Sequence, residues 1–221
     1  MADFEKGART AAKFHFPNVE IRGCFFYFRQ CISRKANKLG LKPFYRHESY
    51  RDFITSFGTL AMVPPSQINN VMPMIQNIMP DDSKCRALLQ YVSSEWVNNE
   101  QMPISSWNHF DHYDKRSNNS VEGFHAKIKR MFNIKKPNIY LLIKFIKKLH
   151  CSTLIDYERL KQNICINVQS KAEREKDLRI ELMKEEYRRG ITTLDHYFDQ
   201  MTLQLRFPYE AYNEADEYIL S

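Results

Sequence analysis

The chain has 221 residues, and the 43% that are hydrophobic suffice for one domain with a sizeable core or for a domain with an appendage. With 15 Phe and 12 Tyr but only 6 Gly, the composition favours helices over a β-sandwich, whose tight turns need more glycine. The formal net charge of +7 favours polyanionic partners.

Membrane, secreted and zinc-ribbon proteins are disfavoured by the sequence. No stretch approaches the roughly 20 apolar residues of a membrane-spanning helix, so no membrane partner is expected. The N-terminus lacks the apolar run of a signal peptide. The five cysteines are scattered and form no Cys-x-x-Cys pair, which argues against a disulfide framework. We therefore expect a nuclear or cytoplasmic protein.

The first half of the chain is predicted to form short helices in succession. Asp3 is a plausible N-cap of the first helix, Gly40 and Pro64-Pro65 are stop signals, and Asp81 or Asp82 is the expected cap of the fifth helix. One short strand is predicted at residues 19–22 from its β-branched residues. Apolar spacing predicts helices at residues 3–14, 25–39, 50–61, 68–79 and 82–96.

The second half begins with a long polar loop at residues 100–119, a length that usually marks a functional or disordered segment. The helix from residue 139 is expected to bury Leu142, Phe145, Ile146 and Leu149 in a core. Thirteen of the nineteen residues from 171 to 189 are charged, which predicts an exposed helix. The remaining predictions are helices at 120–132 and 192–205 and a loose acidic tail after residue 208.

The distribution of charge is uneven. Residues 123–155 contain no acidic side chain but eight basic ones. They form either a surface for DNA or another polyanion, or only a solvated face. The eight are Lys127, Lys129, Arg130, Lys135, Lys136, Lys144, Lys147 and Lys148.

Three short motifs occur in a fixed order: Asp3-Phe4-Glu5, then Gly23-Cys24-Phe25-Phe26-Tyr27, then Asn118-Asn119-Ser120-Val121-Glu122. Over residues 3–151 this order and spacing resemble the C-terminal part of the ribonuclease-H-like DDE domain of Mutator-like (MULE) transposases. In that family, Asp-Phe-Glu and Asn-Asn-x-x-Glu motifs each supply a metal-binding carboxylate, with a helical insertion between them. Cys24 corresponds to the cysteine of a Cys-x-x-His motif, and Tyr27 stands where histidine is usual.

The resemblance implies a mainly α protein, a partial ribonuclease-H-like α/β fold that lacks its first strands. It implies a residual ribonuclease-H-like segment at 1–47, a helical insertion at 48–104, and the loop and helices that carry the Asn-Asn-x-x-Glu motif at 105–155. A charged helical extension follows at 156–221. DNA is the implied partner, and homo-oligomers are possible on the same ground.

The resemblance also implies a chemistry. Transposases use two divalent metals to clamp the attacking and leaving oxygens at phosphorus. Asp3 and Glu122 are the implied catalytic residues and ligands of Mg²⁺ or Mn²⁺. The family's first carboxylate lies upstream of the Asp-Phe-Glu motif, where only Met1 and Ala2 stand here, so we expect catalysis by this chain alone to be incomplete. The implied nucleic-acid contacts are Asn118, Asn119, His125, Lys127, Lys129, Arg130, Lys135 and Lys136.

Each motif residue also has an ordinary structural interpretation. Asp3 could serve only as a helix N-cap, and Glu122 only as a solvated residue that interacts favourably with a helix dipole. Cys24 and Tyr27 could be core residues. Trp107 and Phe110 could stack on a base or anchor the loop onto the core. A metal cluster formed by His109, Asp111, His112 and Asp114 competes with an ordinary polar loop.

Three functional hypotheses follow. The first is a fragment or domesticated remnant of a Mutator-like DNA transposase that retains DNA contact. The second is a helical protein-interaction module in which the charged helix at 171–189 docks a partner. The third is that the chain is a fragment of a longer, active transposase. Steeply salt-dependent binding to DNA would favour the first hypothesis over the second.

Overall fold

A computed structural model of the protein describes residues 6–112, 116, 123, 128, 130, 138–163 and 170–206. The chain forms two compact units, one of residues 1–117 and 178–221 and the other of residues 118–177. The described residues are mainly helical, as predicted. Their α-helices are α1 (Lys6–His15), α2 (Phe25–Lys38), α3 (Glu48–Thr59), α4 (Ile68–Asn77), α5 (Ser83–Val92), α6 (Ile139–Lys161), α7 (Lys171–Arg188) and α8 (Leu194–Leu205).

Helix α3 lies at the centre of the first unit, where it packs against α2, α4 and α8. Every residue from Phe53 to Thr59 is buried, so this part of the helix is enclosed on all sides. At such a position even a hydroxyl needs a partner, and the Thr59 hydroxyl is hydrogen-bonded to that of Thr202 on α8 at 2.9 Å. The C-terminal helix is therefore part of the core of the first unit.

The helix ends follow the signals in the sequence. Gly40 has a φ of +79°, and the amide of Leu41 donates to the Ala36 carbonyl at 3.0 Å, which closes the end of α2. A 3₁₀ turn at Pro65–Gln67 leads into α4, which tolerates Pro73 in its interior. Asp82, rather than Asp81, caps α5, because its carboxylate accepts a bond from the Lys84 amide at 2.8 Å.

The prediction of a strand at residues 19–22 is wrong. These residues have no regular structure, and Gly23 after them is an isolated bridge residue whose amide donates to the Ser106 carbonyl at 2.6 Å. A strand needs a neighbour that accepts its hydrogen bonds, and the described residues contain no β-ladder. Phe14, Phe16 and Val19 are 79%, 66% and 41% exposed, so the region around α1 leaves apolar surface uncovered.

Helices α6 and α7 differ from their predictions in opposite directions. None of the side chains of α6 is buried, so the core face expected at Leu142, Phe145, Ile146 and Leu149 is not one. Helix α7, expected to be exposed, buries Ile180 and Lys184. Spacing alone shows that a helix has an apolar side, but whether that side is covered depends on tertiary contacts.

Other short turns complete the description. They are 3₁₀ turns at Lys42–Arg46, Leu60–Met62 and Ile104–Ser106 and a π-helical turn at Ser93–Val97. Within the described ranges, no helix is both long and apolar enough to cross a membrane.

Candidate functional site

Most of the residues that the motifs single out lie outside the described part of the chain. The implied metal ligands Asp3 and Glu122 are among them, so the structure does not test whether they meet. Arg130 is described, and it is helical and exposed. The other implied DNA contacts that lie outside the described residues are Asn118, Asn119, His125, Lys127, Lys129, Lys135 and Lys136.

The described lysines of the basic stretch lie on α6, in the second unit. The Asn138 side chain caps this helix by accepting a bond from the Leu141 amide at 2.9 Å. Lys144, Lys147 and Lys148 are all exposed and sit within about one turn of each other. No carboxylate among the described residues forms an ion pair with any of the three. Their exposure allows an anion in solution to approach them.

In the first unit, the loop that follows α5 is anchored to the core. Trp107 is fully buried and its indole N–H donates to the Trp96 carbonyl at 3.2 Å. The buried Asn108 amide donates to the Leu60 and Val63 carbonyls at 3.1 and 2.8 Å. Phe110 is 4% exposed. The core-anchor interpretation of Trp107 and Phe110 is confirmed, because rings buried in this way have no face free for a base.

His109 is buried in the same loop and is held by two bonds. Its backbone amide donates to the Ala61 carbonyl at 2.6 Å, and its Nε2 lies 3.0 Å from the Gly23 carbonyl. A carbonyl can only accept, so Nε2 carries the proton. Burial lowers the pKa of His109 to about 4, and the nearby Lys184 ammonium acts in the same direction. The ring is therefore neutral at pH 7.

A buried lysine contacts this loop from α7. Lys184 is fully buried, and its ammonium donates to the His109 carbonyl at 2.8 Å, the His112 carbonyl at 3.2 Å and the Glu181 carboxylate at 3.0 Å. An ammonium has three protons, so its hydrogen-bonding capacity is used completely. Burial lowers the pKa of Lys184, and the bond to Glu181 opposes that shift. We call Lys184, Glu181 and the two carbonyls the Lys184 cluster.

Arg188, one turn further along α7, reinforces the attachment. Its guanidinium donates to the Phe110 carbonyl at 2.7 Å and lies 4.7 Å from the centre of the Phe110 ring. Arg116 reaches Glu181 at 3.4 Å, so one carboxylate faces two cations. Six residues of a helix that was predicted to be exposed thus face the loop or the core: Ile180, Glu181, Met183, Lys184, Tyr187 and Arg188. The spacing of Ile180, Met183, Lys184 and Tyr187 on α7 is the feature of the sequence that indicates this face.

The chemistry available to these groups is structural. The neutral His109 ring donates its one proton to a carbonyl, and the Lys184 ammonium donates all of its protons. Neither is positioned as a nucleophile or a general base towards an open cleft. The described residues include no group of three or more His, Cys, Asp or Glu side chains that could hold a metal, and Asp114 of the expected cluster lies outside them. Cys24 is fully buried, in agreement with its interpretation as a core residue.

Comparison with known proteins identifies no relative. No protein-family model matches the chain, and neither a curated protein nor a solved structure shows significant similarity to it.

Proposed function

We propose that this chain derives from a Mutator-like transposase and binds DNA through the basic stretch at residues 123–155. The observation that supports DNA binding is the eight basic and no acidic side chains of this stretch, together with the exposure of its described lysines on α6. The derivation rests on the order and spacing of the Asp-Phe-Glu, Gly-Cys and Asn-Asn-x-x-Glu motifs. The partial ribonuclease-H-like fold belongs to the same proposal.

Binding of this kind is electrostatic. Lysines act as point charges for phosphate oxygens, and each phosphate that they neutralise releases a bound counterion. Lys144, Lys147 and Lys148 present three such charges from one side of a rigid helix. Further polar contacts to the DNA backbone would come from Asn118, Asn119 and His125. Contacts to phosphates fix position without reading sequence, so we expect little sequence preference from the lysines.

The metal expected from the resemblance is Mg²⁺ or Mn²⁺. Mg²⁺ takes six oxygen ligands and loses its waters reluctantly. Asp3 and Glu122 supply two carboxylates, too few to hold it tightly. DNA binding is therefore proposed without a catalytic step. Metal-dependent nicking of DNA that is lost in Glu122→Gln would show that this restriction is wrong.

The test is a DNA-binding isotherm measured over a range of salt concentrations. In the triple variant Lys144→Gln, Lys147→Gln and Lys148→Gln, we expect weaker binding and a slope of log affinity against log salt that is smaller by up to about 3. The matched control removes three exposed lysines elsewhere, Lys13, Lys38 and Lys171, and so has the same net charge. Equal losses in the two triple variants would mean that α6 is not the DNA-binding surface.

An interaction module remains the second candidate, because α7 carries apolar side chains on its outer side. Leu178 and Leu182, one turn apart, are 60% and 53% exposed. A protein partner could dock on them by burial of apolar surface. Salt-insensitive binding of a protein, with no retention of DNA, would favour this function over the first.

A further inference from the structure

Helix α6 exposes an apolar face, interrupted at His150, that the proposed DNA contact does not use. Its residues follow one another at intervals of four, three, eight and three positions, with His150 inside the interval of eight, which places them on one side of the helix. The five side chains and their exposed fractions are Ile139 59%, Ile143 45%, Ile146 53%, Leu154 50% and Tyr157 55%. We call them the α6 face.

The area of this surface is suited to a protein interface. Tyr140, Leu142 and Leu160 border the α6 face and are themselves 81%, 36% and 58% exposed. A large side chain carries roughly 200 Å² of surface, so the eight together expose on the order of 900 Å². A stable protein interface buries about 800 Å² per partner. The helix is 23 residues long, or about 35 Å, which is long enough to supply most of that area by itself.

The charge pattern along α6 favours one direction of pairing. The first half, residues 139–150, carries Lys144, Lys147 and Lys148 without an acid. The second half carries two acids and two bases and has no net charge, and its Glu158 pairs with Lys161 at 2.9 Å. Two parallel copies would bring the lysine-rich halves together, and like charges repel. Two antiparallel copies place the lysines of each helix beside the half of the other helix that has no net charge.

We infer that α6 pairs with α6 of a second copy of this chain in the antiparallel direction, with His150 near the two-fold axis. Ile146 of each helix then lies opposite Leu154 of the other, and Ile143 lies opposite Tyr157. The interface is isologous, so it closes as a dimer and does not propagate into a filament. The inference does not depend on DNA binding, because the apolar face and the exposed lysines are separate sets of side chains.

The first experiment measures the molar mass of the full chain in the absence of DNA, by sedimentation over a range of concentrations. We expect a dimer in the wild type and a monomer in Ile146→Lys. The matched control is Ile155→Lys, because Ile155 is 55% exposed and lies nine residues along the same helix, on its opposite side. It should remain a dimer, and equal helical circular dichroism should verify that all three proteins are folded.

Two results of this experiment would overturn the inference. One is a wild type that stays monomeric at all concentrations. The other is a dimer that Ile146→Lys and Ile155→Lys weaken equally or not at all. Since no DNA is present, failure of the DNA-binding proposal leaves this measurement unaffected.

The second experiment tests the direction of pairing by cross-linking in a Cys151→Ser background. One chain carries Tyr140→Cys and a differently tagged chain carries Glu158→Cys, and the two are mixed and treated with a short bismaleimide. Both positions lie on the same flank of the α6 face, so antiparallel pairing predicts cross-links between position 140 of one chain and position 158 of the other. Cross-links formed only between like positions would indicate parallel helices and would overturn the inference.

Discussion

At the scale of single residues, His109 shows what the interior of the first unit requires of a titratable group. The ring is 1% exposed, it donates one hydrogen bond to the Gly23 carbonyl, and it packs edge-on against Phe25 at 6.0 Å. The bond to Gly23 favours the imidazolium, but burial of the ring disfavours it more strongly, and the net effect lowers the pKa. The cost of protonating it must therefore appear in the stability of the fold.

The pH dependence of stability follows from the sign of that shift. The pKa of His109 in the folded chain is about 4, below the ordinary 6.5 of an unfolded chain, so the unfolded state binds more protons between these values. The stabilisation is complete above pH 6.5 and is lost as the pH falls towards 4, by about 3 kcal/mol in total. We expect the difference in unfolding free energy between wild type and His109→Gln to shrink by about that amount from pH 7 to pH 4.

The exposed His196 provides the control for this prediction. Carboxylates that titrate over the same range are common to all the proteins and cancel in the comparison. His196→Gln should change the free energy of unfolding at pH 7 by no more than about 0.5 kcal/mol, as is usual for an exposed position. A constant difference between wild type and His109→Gln at every pH would contradict the assignment of a neutral buried ring. Urea unfolding at fixed pH values supplies the data.

At the scale of elements, the N-cap of α5 rests on one side chain. Asp82 accepts from the Lys84 amide and also lies 3.3 Å from the Tyr50 hydroxyl of α3. Asp82→Ala should lower the free energy of unfolding by about 1 kcal/mol, because it leaves an amide of the first turn without its acceptor. Asp81→Ala is the control, since Asp81 is 97% exposed and bonds only to an exposed arginine among the described residues. Equal losses in the two variants would contradict the assignment of the cap.

The sequence predicts the helices of the first unit well because their local preferences agree with their packing. Apolar spacing locates α2 to α5 and α8, and Gly40 marks the end of α2 through its positive φ. The strand at residues 19–22 could not be predicted correctly, because β-branched residues favour a strand only where a neighbour completes the ladder. The contacts of the Lys184 cluster are harder to predict. The residues around Lys184 do not indicate that its ammonium donates to a loop carbonyl 75 residues earlier in the chain.

The sequence predicted the burial of α6 and α7 incorrectly for the same reason: burial depends on the contact partner of a side chain and not only on its hydropathy. A charged side chain with a long apolar stem can be buried when its head finds partners, as Lys184 does. An apolar side chain can stay exposed when its partner is another molecule, as we infer for Ile146. Hydropathy records neither case, because both depend on what lies across the contact.

At the scale of the whole molecule, the Lys184 cluster ties segments that are far apart in the chain. Glu181 and Lys184 lie on α7, while the carbonyls belong to residues 109 and 112. The ring of His109 then links this cluster to Gly23, two residues before α2 begins. Arg29 of α2 donates to the Leu205 carbonyl at 2.8 Å, which holds the end of α8 as well. Removal of one of these side chains should therefore lower the stability of the entire first unit.

We expect Lys184→Met to lower the free energy of unfolding by roughly 3 kcal/mol, since it leaves two buried carbonyls and a carboxylate without their donor. Methionine keeps the length of the stem, so the loss reports on the ammonium. The control is Lys171→Met on the same helix, where the lysine side chain is 86% exposed and the change should stay within about 0.5 kcal/mol. An unchanged urea midpoint in Lys184→Met would show that the cluster contributes little.

The two tryptophans of the chain lie together in the first unit. Trp107 stacks on Phe28 with ring centres 4.8 Å apart, and the Trp96 and Trp107 rings meet edge-on at 6.4 Å. Tryptophan fluorescence, excited at a wavelength that tyrosine does not absorb, therefore reports on this unit alone, whereas far-ultraviolet circular dichroism also follows α6. If the two signals change at different denaturant concentrations, the units unfold separately. The fluorescence transition then gives the free energy of unfolding of the first unit, without any contribution from the helix that we infer to pair.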